Sequence, residues 1–128
     1  MAKKVILVDD SKTILVSAEM ALEPIIESGI ITLQTYLNPE EFLSDAINGV
    51  TDFDLLISDV NMPQMNGLVL AEKLKQEEKF KNKPILILTT ESSAEMKQKG
   101  KSIGVTGWMV KPFSDEKLLK SIKFVLGL

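Results

Sequence analysis

Carboxylate, hydroxyl and ammonium side chains stand at the ends of four apolar runs in the sequence. Asp9 and Asp10 follow the first run, and Asp59 follows the third. Thr89 lies near the end of the fourth run, and Lys111 follows the fifth. Grouped carboxylates can hold a hard divalent cation such as Mg²⁺, and a carboxylate can be a nucleophile that becomes an aspartyl phosphate. An ammonium and a hydroxyl can stabilise phosphoryl oxygens, so the candidate chemistry is phosphoryl transfer to an aspartate beside a metal ion.

Five short apolar runs, rich in β-branched residues, are predicted to be the strands that position these side chains. Continuous apolar strands are typical of a sheet that is covered on both faces. Segments with helical signals separate the runs, and this alternation predicts a parallel α/β sheet with right-handed crossovers. Ligand sites of such sheets lie at the carboxyl ends of the strands, where we expect the polar residues to meet. The predicted strands are Lys4–Val8, Thr32–Leu37, Leu55–Ser58, Ile85–Thr90 and Gly107–Val110.

Local signals predict where several helices begin and where one is interrupted. Asn38, followed by a proline and two glutamates, has the pattern of an N-cap. Ser92 and Glu95 have the spacing of a capping box, and Ser114 precedes two acids that suit a first helical turn. Pro24 lies inside the first helical stretch and is expected to kink that helix or to end it early.

Composition narrows the classes of function. The 128 residues suit one domain, predicted to span 1–128, and 45% apolar with 26% charged residues is ordinary for a globular chain. The net charge of −3 argues against nucleic acid as a partner. The absence of cysteine and histidine excludes disulfides, the commonest zinc sites and a histidine relay within the chain. No membrane-spanning run or signal-peptide pattern is found, so we expect a cytoplasmic protein with no membrane contact.

Four motifs carry a resemblance to a known family. They are VDDS at Val8–Ser11, DVNMPQMNG at Asp59–Gly67, LTTES at Leu88–Ser92 and GWMVKPF at Gly107–Phe113. With these motifs in order over essentially its whole length, the chain resembles the receiver domain of bacterial two-component response regulators. It is most similar to the stand-alone chemotaxis type. The resemblance implies a doubly wound, five-stranded parallel sheet in the order 2-1-3-4-5 with five helices, a flavodoxin-like or CheY-like fold.

The resemblance also implies a phosphoacceptor and a Mg²⁺ site. Asp59 matches the aspartate that is phosphorylated. Asp10 matches the direct metal ligand, and Asp9 matches the neighbouring acid that acts through water. Asn61 matches the position whose main-chain carbonyl completes the metal site, to which Asp59 also contributes.

Three further positions match residues that respond to phosphorylation in the family. Thr89 and Lys111 match the hydroxyl and ammonium that contact the phosphoryl group, so they join Asp59 as the predicted catalytic residues. Thr89 and Trp108 match the switch pair. The resemblance implies a cis peptide bond before Pro112, while Asn61 and Glu91 occupy positions that tune how long the phosphoryl group survives.

The resemblance implies partners and no enzyme activity beyond self-catalysed phosphoryl acceptance and autodephosphorylation. A histidine kinase would be the phosphodonor, and a downstream protein, with the flagellar motor switch as the chemotaxis case, would read the signal. A phosphatase is a further candidate partner. We expect a monomer that binds neither nucleic acid nor membrane.

Several of these side chains also have a purely structural interpretation. Asp10 or Ser11 could serve as an N-cap. Thr89 suits a strand by its β-branched shape, and Lys111 could be a surface lysine. Trp108, the sole tryptophan, could be a core anchor instead of a switch.

Two glycines and two lysines leave similar alternatives open. Gly67 could serve close helix–strand packing or a positive φ angle. Gly100 interrupts the fourth helical stretch and should make it easier to remodel. Lys97 and Lys101 share a helical face, which is either solvated surface or the border of a partner-binding groove.

Three other functions remain to be weighed. A phosphorelay intermediate outside chemotaxis would share the same site. A Mg²⁺-dependent phosphohydrolase with an aspartyl nucleophile would need an acid two positions after the first aspartate, where this chain has Ser11. A flavodoxin-like electron carrier would bind a flavin phosphate where Asp9 and Asp10 would repel it.

Overall fold

Five strands alternate with five helices in the computed structural model, which describes residues 2–128. The strands are β1 (Lys3–Val8), β2 (Ile31–Tyr36), β3 (Leu55–Ser58), β4 (Ile85–Thr89) and β5 (Gly107–Val110). The helices are α1 (Lys12–Glu27), α2 (Pro39–Ile47), α3 (Gly67–Lys75), α4 (Ala94–Ile103) and α5 (Asp115–Leu126). All five predicted strands are confirmed to within one residue at each end. No helix of residues 2–128 has both the length and the apolar character needed to cross a bilayer.

The strands form one parallel sheet in the order β2-β1-β3-β4-β5, as expected. The register of β1 and β3 places Val8 opposite Ser58. Asp9 and Asp59 each follow these residues, and the Asp59 N–H donates to the Val8 carbonyl at 3.1 Å. The pairing therefore brings two of the predicted site residues to adjacent positions at the carboxyl edge of the sheet.

Helices cover both faces of the sheet, so the core has two parts. On one face, Phe42, Phe53 and Phe80 belong to a cluster that includes α2 and α3, and the rings of Phe53 and Phe80 stack with centroids 4.8 Å apart. On the other face, Leu22 of α1 and Ile122 of α5 belong to the second cluster. All four residues of β3 are buried, which is what a strand covered on both faces requires.

The helix starts agree with the local signals at two sites and differ at one. Asn38 and Ser114 cap α2 and α5, as predicted. The capping box that pairs Ser92 with Glu95 is wrong, because the cap of α4 is Ser93, whose hydroxyl accepts the Met96 N–H at 3.2 Å. The helix begins at Ala94, so Ser92 lies one residue too early to reach that donor.

Pro24 does not end α1 early, since the helix continues to Glu27. A proline removes one helical hydrogen bond, but Leu22 and Ile25 on either side of it are buried against the sheet. Tertiary packing of an apolar helix face outweighs a single missing bond in this turn.

Candidate functional site

A lysine ammonium joins two aspartates at the carboxyl edge of the sheet. Lys111 Nζ lies 2.7 Å from Asp9 Oδ2 and 3.3 Å from Asp59 Oδ2. The three side chains come from the ends of β5, β1 and β3, and each is at most 10% exposed. Ion pairs removed from water in this way are screened little, so the attraction between the ammonium and the two carboxylates is strong.

Burial raises the pKa of the Asp9 carboxyl above its ordinary value of 3.8. Hydrogen bonds from Lys111 Nζ and from the Ser11 N–H act in the opposite direction, and the charge of Asp59 adds a smaller upward effect. Loss of solvent is therefore the largest cause of the raised pKa, and repulsion by the neighbouring carboxylate is a minor one.

The Asp59 carboxylate is held by its own main chain and by a close helix. Its Oδ1 accepts the Val60 N–H at 2.7 Å, and the Ser58 hydroxyl donates to the Asp59 carbonyl at 2.9 Å. Gly67, the first residue of α3, lies so close that a Cβ there would overlap the Asp59 carbonyl oxygen. Gly67 therefore serves close packing, the first of the two roles considered for it, and it lets α3 press against the loop that carries Asp59.

The donor set at this edge fits Mg²⁺. Asp9, Asp10 and Asp59 can each offer one oxygen, and these oxygens lie within 4.8 Å of one another. With Mg–O bonds of 2.0–2.1 Å, two ligand oxygens of one ion lie about 3–4 Å apart, so small side-chain movements would suffice. Asp10 and Asn61 are both exposed and line the same cavity, of about 340 Å³. Two of the predicted metal residues thus line one opening in the surface, and Asp9 and Asp59 can bring oxygens close to that of Asp10.

Ser11, rather than Asp10, caps the helix that follows β1. The Ser11 hydroxyl accepts the Ile14 N–H at 3.3 Å. This arrangement leaves the Asp10 carboxylate exposed and without a capping role. The exposed Asp10 and the buried Asp9 therefore face different environments although they are neighbours in the chain.

A main-chain segment links the two predicted switch residues. Thr89 is fully buried, and its hydroxyl oxygen accepts the Glu91 N–H at 3.2 Å. The Trp108 Nε1–H donates to the Glu91 carbonyl at 2.8 Å. Both hydrogen bonds end on the same residue, so the main chain of Glu91 connects the Thr89 hydroxyl to the indole. No sequence pattern could have identified this link, because the bonding groups of Glu91 belong to the main chain.

Trp108 is half-buried and lies against α4. A Cβ added to Gly100 would come within 2.9 Å of the indole Cζ3, so the glycine provides the space that the ring occupies. Trp108 packs on the edge of the aromatic core cluster. Trp108 is therefore partly packed against the core and partly exposed to solvent. Sequence reasoning connected Gly100 only with helix stability, although a glycine inside a helix was the signal of this close contact.

Two further predictions concern the peptide bond before Pro112 and the lysines of α4. The Lys111–Pro112 peptide bond is cis, as the resemblance implied. Lys97 and Lys101 are both exposed on α4. Their exposure agrees with a solvated surface and does not distinguish it from a binding surface.

Comparisons with known proteins identify the family. Residues 5–123 match the family described as the response regulator receiver domain. The chain is 34% identical over 133 residues to a chemotaxis protein CheY homolog of Campylobacter jejuni, covering 97% of this chain and 92% of the relative. It is 41% identical to chemotaxis protein CheY4 of Vibrio cholerae, whose structure superposes with a TM-score of 0.87 over 98% of this chain and all of that one. A sensor histidine kinase CheAY of Helicobacter pylori is 31% identical over 119 residues, 93% of this chain but 14% of the kinase.

The family match covers most of the chain, and the CheY relatives cover nearly all of it at similar length. The strand order and the alternating helices agree with the structures of those relatives. The chain therefore belongs to the response regulator receiver domain family and is of the CheY type.

Proposed function

We propose that residues 1–128 form a single receiver domain in which Asp59 accepts a phosphoryl group from a histidine kinase. The observation that carries this proposal is the surroundings of the Asp59 carboxylate. Its Oδ2 lies 3.3 Å from the Lys111 ammonium, and Asp9 and Asp10 can bring further oxygens within 4.8 Å. Family membership supports the proposal, because receiver domains are generally switches and not enzymes.

The transfer step uses one oxygen of the Asp59 carboxylate as the nucleophile. That oxygen forms a bond to phosphorus while the bond from phosphorus to the donor's histidine nitrogen breaks, and the nitrogen keeps the electron pair. Lys111 stays within reach of the acceptor and offsets the added negative charge. Hydrolysis of the resulting acyl phosphate restores the carboxylate and resets the switch.

Asp9, Asp10, Asp59 and the main-chain carbonyl of Asn61 would hold Mg²⁺. Bound there, the ion neutralises charge on the phosphoryl oxygens. The carboxylates supply the hard oxygen donors that this ion prefers, and Asp9 also keeps Lys111 oriented toward Asp59.

The response begins at Thr89. Its hydroxyl accepts from Glu91 in this structure and has its own hydrogen free to donate to a phosphoryl oxygen. Movement of Thr89 toward Asp59 would weaken the bond to Glu91 and shift the residue to which Trp108 donates. The populations of Trp108 positions then change, and with them the surface formed by α4, β5 and α5.

Phosphorylation by a small donor tests the acceptor. Acetyl phosphate with Mg²⁺ should add one phosphoryl group to the intact mass of the wild type and change the fluorescence of Trp108, the sole tryptophan. Asp59→Asn should show neither effect, whereas Asp52→Asn, at an exposed aspartate, should behave as the wild type. An equal fluorescence change in Asp59→Asn and wild type would exclude Asp59 as the acceptor.

The named relatives support two proposed partners. A histidine kinase that carries a similar stretch supports a histidine kinase as phosphodonor, and the chemotaxis relatives support the flagellar motor switch as the target. Phosphorylated protein should bind the purified motor switch protein more tightly than unphosphorylated protein does. Equal binding of both forms would favour a relay intermediate outside chemotaxis.

A further inference from the structure

A groove lies at the side of the sheet opposite to Trp108. It has a volume of about 470 Å³ and is bounded by α1, by the end of β2 and by α2. A second cavity of about 350 Å³ continues along α1, and the two share Val16 and Glu19. Together they form one surface, here named the α1–β2 groove. None of the residues assigned to phosphorylation or to the switch lines it.

The α1–β2 groove exposes aliphatic side chains. Val16 is 50% exposed, Met20 is 67% exposed and Leu37 is 47% exposed. Val16 and Leu37 line the first cavity, while Val16 and Met20 line the second, so the three form a connected patch. A connected apolar patch with a polar rim is typical of a binding surface.

The rim of the groove is acidic. Glu19, Glu41 and Asp45 line the first cavity, and Glu23 and Glu27 line the second. Lys12, at the start of α1, is the only positively charged one among the described residues that line either cavity. The ion pairs within residues 2–128 involve other carboxylates, so these five are not neutralised by a lysine at salt-bridge distance. The charge of the groove therefore favours a cationic occupant.

The shape of the groove favours an extended occupant. β2 is an edge strand, and no other strand of residues 2–128 pairs with its outer side. The four consecutive residues 34–37 line the cavity between the two helices. An added strand can pair with such an edge, and its successive side chains would alternate between the α1 side and the α2 side.

We propose that the α1–β2 groove binds a basic, extended segment of another protein. Lysine or arginine side chains of that segment pair with Glu19 and Glu41, and aliphatic side chains between them contact Val16 and Leu37. The six residues of β2 span about 20 Å, so a segment of about six to eight residues fills the groove. The groove lies across the sheet from Trp108, so this partner and the reader of the phosphorylation signal can bind together.

A peptide titration tests the proposal. The probe is a fluorescein-labelled peptide of about eight residues in which two lysines alternate with two valines, so that both residue types face the α1 side and the α2 side, and its counterpart carries glutamate in place of lysine. The lysine peptide should bind the whole protein and the glutamate peptide should not. Amide shifts of ¹⁵N-labelled protein should change along α1 and β2, with added hydrogen-exchange protection in β2.

Matched variants separate groove binding from general attraction to an acidic protein. Glu19→Gln with Glu41→Gln should weaken binding of the lysine peptide about fivefold, and Val16→Thr should weaken it further. Glu72→Gln with Glu78→Gln changes the net charge equally at exposed sites on and after α3 and should leave the affinity unchanged. Circular dichroism checks that all of these surface variants are folded.

Two outcomes would overturn the proposal. Equal weakening in both pairs of variants, or shifts centred on Asp9, Asp10 and Asp59, would mean that the peptide responds only to negative charge. Concentration-dependent shifts along α1 and β2 without any peptide would mean that the occupant is a second copy of the chain.

Discussion

The centre of the sheet and its β5 side differ in how tightly they are packed. Every residue of β3 and β4 is buried, and α3 buries five of its nine residues. In β5 only Met109 is buried, and α4 buries only Gly100 among its ten residues. The proposed acceptor Asp59 thus follows a fully buried strand, whereas Trp108 belongs to a strand in which only Met109 is buried.

This difference separates a fixed part of the molecule from a part that can be rearranged. Apolar burial contributes about 25 cal/mol per Å², so displacing the central strands would cost far more than displacing α4. Regions with few buried contacts are those that open or shift at low cost. The geometry around Asp59 is therefore well held, while the surface proposed to carry the response is easily changed.

Lys111 follows β5 and pairs with Asp9 and Asp59, so it connects the loosely packed β5 side with the centre of the sheet. Its removal should have the largest effect on stability and on phosphorylation. Lys111→Met leaves the Asp9 and Asp59 carboxylates without the ammonium, which should lower the free energy of unfolding by about 3–5 kcal/mol without Mg²⁺. Phosphorylation should slow by about a hundredfold. Thermal unfolding with and without Mg²⁺ and the rate of phosphorylation by acetyl phosphate measure these effects. Lys117→Met, at an exposed lysine, is the control, and an equally small effect of both changes would contradict the role of Lys111.

Truncation of one isoleucine in each part compares their packing directly. Ile57→Ala in β3 removes a fully buried side chain and should lower the free energy of unfolding by about 2–5 kcal/mol. Ile103→Ala in α4 removes a half-buried one and should cost less than half as much. Urea unfolding followed by circular dichroism measures both. Equal losses would show that α4 is packed as firmly as the centre.

The contact between Gly100 and Trp108 provides a smaller test. Alanine in a helix interior is favoured over glycine by about 0.8–1 kcal/mol, but a Cβ here would meet the indole at 2.9 Å. Gly100→Ala should therefore change Trp108 fluorescence in unphosphorylated protein and should stabilise it by less than the helix propensity alone. Ser102→Ala, on the exposed side of α4, is the matched control. An unchanged spectrum with the full gain in stability would show that the ring does not need this space.

The smallest expected effect tests whether firm packing extends to β2. Burial, together with a hydrogen bond from its hydroxyl to Asp45 Oδ2, raises the pKa of Tyr36 from 10 to about 12. Since the unfolded chain loses this proton first, the stabilisation is full below pH 10 and is lost as the pH rises toward 12. Tyr36 is the sole tyrosine, so tyrosinate absorbance reports it directly. Tyr36→Phe isolates its contribution from that of the lysines, and ionisation near the ordinary pKa would contradict the buried position.

Much of the fold could be predicted because its signals are local. The apolar runs and the caps at Asn38 and Ser114 depend on residues close together in the chain, and both caps are confirmed. The error at Ser92 arose where two adjacent serines compete for one cap, and α1 continues past Pro24 because packing outweighs a local breaker. The cis bond before Pro112 came from the family resemblance and not from any local pattern.

The sequence by itself determined which chemical groups stand at the strand ends: carboxylates after β1 and β3, a hydroxyl in β4 and an ammonium after β5. Only the tertiary structure decided how deeply each group is buried and which side chains it contacts. Asp9 is buried and bonded to Lys111 while Asp10 is exposed, and Gly100 receives the ring of Trp108. Burial, pKa and close contact depend on neighbours that are distant in the chain, and no local pattern records them.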